Sequence, residues 1–132
     1  MEIGLQGIYK GRKSIRHALE QFGLQGLREG ELNDHLQLQT LVHISPDGFT
    51  AKARGSELIM SGKFGESGEW GLGVFENEYV KQDGIWYIKA MDLDYVWTAG
   101  YKGGWAHSAG SFKPQPDKTM IEKFPPDRPL RV

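Results

Sequence analysis

The chain has 132 residues, 39% hydrophobic and 25% charged, with a formal net charge of -1. That is enough for one domain around one core, and it gives no electrostatic ground for a nucleic-acid or membrane partner. The absence of cysteine excludes disulfides, thiolate metal sites and cysteine nucleophiles. No apolar run approaches the roughly 20 residues that cross a bilayer, and the opening MEIGLQGIYKG lacks the apolar core of a signal peptide. The cytoplasm is the expected location.

Residues 2–9 predict a short strand, closed by Gly11. Ser14 is the expected N-cap of a helix. Ile15, Ala18, Leu19 and Phe22 follow at i, i+3, i+4 and i+7, one apolar helical stripe, and Gly23 supplies its stop. Residues 24–34 predict a loop. Strands are then expected over His35–Ile44, Thr50–Met60, Trp70–Lys81 and Ile85–Trp97. SPDG and QDG mark tight turns and SGKFGESG a glycine-rich connection, so the order is an antiparallel meander. The expected class is α+β: a curved sheet of about four long strands, a short N-terminal strand and one short helix. Residues 1–106 would form the domain. Residues 107–132 would be an extended tail carrying most of the prolines, with Trp105, Met120, Ile121 and Phe124 as the apolar side chains able to dock this end of the chain.

Strand alternation sorts the side chains. Ala51, Ala53, Gly55, Glu57 and Ile59 share one face of their strand, and Gly71, Gly73, Phe75, Asn77 and Tyr79 share one face of the next. Neither side of the sheet is wholly apolar, which fits a surface divided between core, pocket and subunit interface. One helix of about nine residues is roughly 14 Å long and cannot cover four such strands. Another chain, the tail or a ligand must do so, and a homo-oligomer is expected.

Taken in order, GIYKGRKSIRHAL, HLQLQTLVHISPDGFTAKAR and GVFENEYVKQDGIWYIKAMDLDYVWTAGYKGGWA resemble the SnoaL-like branch of the nuclear transport factor 2 superfamily over about residues 2–106. The resemblance implies an α+β cone with a deep apolar pocket, and a hydrophobic small molecule as partner. It also implies that the face carrying His35, Gln37 and Gln39 looks into the cone. In lyase-like members a strand histidine is the general base, oriented by an aspartate on the first helix, and His35 stands at the matching place. The helices that usually precede this segment, and that aspartate, have no counterpart before Met1. The expectation is a truncated form or a sheet closed by partner subunits.

His35 is the catalytic candidate, because imidazole exchanges protons near neutral pH; its ordinary alternative is a polar pocket or interface residue. Asp34 points to the opposite face, so no local partner orients it. Gln37 and Gln39 would hold a ligand through their amides, or face another subunit. Tyr9, Trp70, Tyr79, Tyr95 and Trp97 would wall the pocket, or fill core and dimer interface. His43 is expected on the His35 face but solvated. Glu76 and Glu78 read as an ion-pair ladder with Lys52 or Lys89. His17 and His107 have no metal-ligand company, and no cofactor or metal is expected. The two functional readings are a pocket protein with lyase or isomerase chemistry on a cyclic substrate, and a non-catalytic oligomeric binding or assembly protein.

Overall fold

The computed structural model describes residues 1–3, 5–23, 26–107, 111–112 and 116–129. It is α+β. A hairpin of β1 (Glu2–Ile3) and β2 (Gly7–Ile8) precedes helix α1 (Gly11–Leu19), which ends in a 3-10 turn over Glu20–Phe22. The main antiparallel sheet follows: β3 (Glu31–Ile44), β4 (Thr50–Lys63), β5 (Ser67–Gln82), β6 (Ile85–Ala90) and β7 (Leu93–Gly100). Short helices α2 (Gly104–His107) and α3 (Lys118–Lys123) lie near the C-terminus.

The turns follow from their residues. Gly48 takes φ 72 in the β3–β4 turn, where Asp47 accepts from the Phe49 amide at 2.8 Å and from the Ser45 hydroxyl. These bonds hold the Asp47 carboxyl below its ordinary range. Asp83 and Gly84 both take positive φ, 51 and 81, in the β5–β6 loop, the conformation that tight hairpins with right-handed twist require. The predicted SGKFGESG connection is mostly strand: pairing runs to Lys63↔Ser67, and only residues 64–66 turn.

Strand β3 begins at Glu31, four residues before the predicted start. Three other expectations are corrected. Residues 2–9 fold back as a hairpin. The single strand predicted over Ile85–Trp97 is two, both on the same edge of β5, where β6 pairs with residues 78–82 and β7 with residues 69–75. At the break the Met91 carbonyl turns away and accepts from the Glu2 amide at 2.7 Å. Ser14 does not cap α1, whose N-cap is Lys10. Asp127 does this from the other end of the chain, accepting from the Lys10 amide and from the Ser14 hydroxyl, the latter at 2.7 Å. A carboxylate at a helix N-terminus complements the unpaired amides and dipole there.

The C-terminal segment is thereby tied to the domain. Ile8 exchanges backbone bonds with Arg128, and Phe124 is buried. Gly7 (φ 134) permits this approach, since a Cβ there would stand 2.6 Å from the Arg128 carbonyl oxygen. The Tyr9 ring is 1% exposed beside Ala18, and its hydroxyl donates to the Phe124 carbonyl at 2.8 Å. Tyr9→Phe strands that carbonyl. The expected loss is about 1–2 kcal/mol in urea unfolding, with faster amide exchange in α3.

A second core lies on the sheet: Ala53, Phe75 and Leu93, with Ile59, Tyr79 and Tyr95 against them. The side chains of β4 and β5 divide as alternation predicts, with Ala51, Ala53, Glu57, Phe75 and Asn77 all buried on one face. β3 departs from strict alternation. Leu38 pairs Ser56 and Leu41 pairs Arg54, so Gln39 and Thr40 together oppose Gly55, with Gln39 at φ 51. One extra residue reverses the facing of everything beyond it. Gly55 is required here: a Cβ would stand 2.7 Å from the Leu38 carbonyl oxygen and 2.8 Å from the Phe75 ring.

Candidate functional site

Before the bulge, His35 and Gln37 lie on the same face as Glu57, which pairs with Gln37 across the strands. Glu57 is therefore a diagonal neighbour of His35, within reach of a long side chain. Its Oε1 stands 2.7 Å from His35 Nδ1. The carboxylate is 6% exposed and the imidazole about one-third exposed. In the neutral tautomer that donates Nδ1–H to the carboxylate, Nε2 carries a free lone pair. The partner for His35, expected to be absent, is Glu57.

This pair sits in a cavity of about 250 Å³. Phe75, Leu93 and Tyr95 line it from β5 and β7, Asn33 and Gln37 from β3, and Met1, Glu2 and Met91 from the chain's start and the β6–β7 break. Leu19 and Phe22 line it from the end of α1 and the 3-10 turn. Half of the helical stripe thus lines a cavity instead of filling a core, and both side chains stay more than 40% exposed. Burial, and secondarily the Glu57 carboxylate, push the Tyr95 pKa up, so the phenol keeps its proton through neutral and mildly alkaline pH.

The other expected pocket residues fall elsewhere. Gln39 is exposed at the bulge. The same bulge carries His43 to the opposite face, paired with Lys52. Tyr9 belongs to the helix core. Tyr79 is on the inner face, where its hydroxyl accepts from Asn77 Nδ2 at 3.3 Å, outside the cavity lining. Trp70 and Trp97 meet edge to face at 5.7 Å on the outer side, because a register shift in β7 beyond Tyr95 pairs Trp97 with Leu72. Glu78 bridges Lys52 at 3.4 Å and Lys89 at 3.1 Å, and Glu76 pairs Arg54 at 3.0 Å. A wider groove of about 470 Å³ runs over this ladder, whose Lys52, Arg54, Glu76 and Glu78 are already paired, while Asp92 in its lining keeps a buried Oδ1 without a partner.

Glu57, Asn77, Phe75 and Leu93 escaped the sequence reading as site residues. Glu57 did leave a signal: it is the one charged residue on a strand face otherwise made of Ala51, Ala53, Gly55 and Ile59.

Glu2 in the cavity lining and Asp92 in the wider groove are both raised above ordinary carboxylate pKa values, first by burial and then by neighbouring carboxylates. Asp94 acts on both, and Glu76 acts on Asp92. A raised carboxylate binds protons more readily folded than unfolded, so it subtracts stability as pH rises past its unfolded value. Asp92→Asn should therefore raise the melting temperature at pH 7, and the gain should fade as pH falls into the ordinary carboxylate range.

An antiparallel sheet, the end of a helix beside its inner face and a histidine–carboxylate pair between them define a domain with a pocket of small-molecule size. The family model described as the SnoaL-like domain matches residues 1–92. The chain belongs to that family, within the NTF2-like superfamily. No curated protein matches it. Among the described residues, no helix is long and apolar enough to cross a membrane.

Proposed function

We propose that the cavity binds a small, hydrophobic, cyclic compound and that His35 acts on it as general base, in lyase- or isomerase-type proton abstraction. The observation that carries this reading is the 2.7 Å contact between His35 Nδ1 and the buried Glu57 at the wall of an apolar cavity. Glu57 fixes the tautomer and ring orientation and balances the imidazolium that forms. His35 Nε2 takes a proton from a carbon next to a carbonyl, and the C–H electron pair moves into the enolate. The Tyr95 phenol is the group suited to donate a hydrogen bond to the enolate oxygen. Phe75, Leu93 and Leu19 exclude water.

The test is deuterium exchange at the α-carbon of small cyclic ketones and hydroxyketones in D2O, followed by NMR. The protein should accelerate exchange, and His35→Ala should abolish the acceleration. Binding in the cavity without acceleration of any probe would leave a binding protein and end the catalytic reading.

A second reading is favoured by the outer face. Leu36, Leu58, Leu72 and Trp97 stand in register across β3, β4, β5 and β7, an apolar row on the side away from the cavity. We infer that a second copy of the chain packs there, and an assembly role without catalysis would use the same face. Light scattering should give a dimer that Leu58→Asp dissociates. A wild-type monomer at micromolar concentration would refute the dimer.

A further inference from the structure

Asn77 is 3% exposed and lines the same cavity as His35 and Glu57. Its Nδ2 donates to the Tyr79 hydroxyl, while its Oδ1 is buried and has no hydrogen-bond partner. An unpaired acceptor at such a place is costly, and Asn77 stands on the inner face of β5 in the wall of the cavity. We propose that Asn77 is a specificity-determining residue that accepts a hydrogen bond from a ligand hydroxyl, so that the natural ligand is a hydroxylated ring compound. This rests on the pocket reading above and adds the donor group. The remaining walls give the site its polarity pattern. Phe75, Leu93 and Leu19 contact carbon, His35 and Tyr95 supply the base and a proton donor, and Asn77 discriminates between a hydroxyl and a carbonyl at one ring position. A ring lacking that hydroxyl would leave Oδ1 desolvated and unpaired, which is how a buried polar group rejects a near-isosteric ligand.

The experiment compares cyclohexanol with cyclohexanone, two probes of nearly equal size that differ in donor capacity. Binding is read by NMR from the Leu93 methyl, Phe75 ring and Asn77 side-chain amide signals. Cyclohexanol should bind at least about tenfold tighter, as expected for one buried hydrogen bond of about 1.4 kcal/mol, and should shift the Asn77 amide. Asn77→Leu should erase the preference while both probes still bind. Equal binding, or tighter binding of the ketone as the reverse amide orientation would give, overturns this inference and leaves the pocket reading intact. Absence of any shift with either probe at millimolar concentration overturns the pocket reading itself. If the variant fails to fold, the wild-type protein decides the matter: a preference for the alcohol without a shift of the Asn77 amide overturns the inference, because Glu2, Asn33, Gln37 and Glu57 line the same cavity.

Discussion

Phe75→Ala should destabilise the protein by about 3–5 kcal/mol, the range for removing a buried aromatic ring from a core that cannot fully collapse. Phe75 is 1% exposed and is the hub of the sheet core, against Ala53 and Leu93. Its ring also lies over Gly55, opposite the β3 bulge. The cavity left behind would open toward the pocket that Phe75 lines. Equilibrium urea unfolding measures the loss, and a cost below about 1 kcal/mol would mean that the ring is not the centre of the core. Because the domain's margin is only of order 5–15 kcal/mol, this one truncation puts folding at physiological temperature at risk.

The second large effect concerns the His35–Glu57 pair. General-base catalysis contributes about 10²–10⁴ in rate, so His35→Ala should reduce ketone exchange to background. Glu57→Gln should lower kcat while leaving KM close to wild type, because Glu57 acts on the ring of His35 and not on the ligand. Stability separates the roles further. His35→Ala leaves the buried Glu57 without its partner and should cost about 1–3 kcal/mol. The double variant His35→Ala/Glu57→Leu removes the stranded carboxylate and should recover most of that loss. A strictly additive cycle would show that the two side chains do not interact.

The features legible in the sequence were those governed by local rules. Asp83–Gly84 and Pro46–Gly48 announced their hairpins because few residues tolerate those dihedrals. The faces of β4 and β5 followed from a period of two, and the helix from its stripe. Misplaced residues trace to register. Nothing in QLQTLVH says that Gln39 adopts φ 51, yet that single dihedral separates Gln37, in the cavity, from His43, outside it. Trp97 was likewise misassigned by a register shift and not by its own character. Asp127 caps a helix more than a hundred residues upstream, a non-local contact that no window around Ser14 contains. The candidate site was half visible: His35, Gln37 and Tyr95 stood out by chemistry. Glu57 did not, because only the cross-strand diagonal brings it to His35.

The bulge at Gln39 and Thr40 also bears on how this architecture diversifies. Losing one codon there would restore uninterrupted alternation and exchange the inward and outward sets along residues 41–44, while residues 31–38 kept theirs. A three-nucleotide deletion would thus rewrite the groove that Leu41, Val42 and His43 line without touching the His35–Glu57 pair. Lineages carrying such a deletion should keep the His35–Glu57 pair and differ in the set of side chains that residues 41–44 turn to each face.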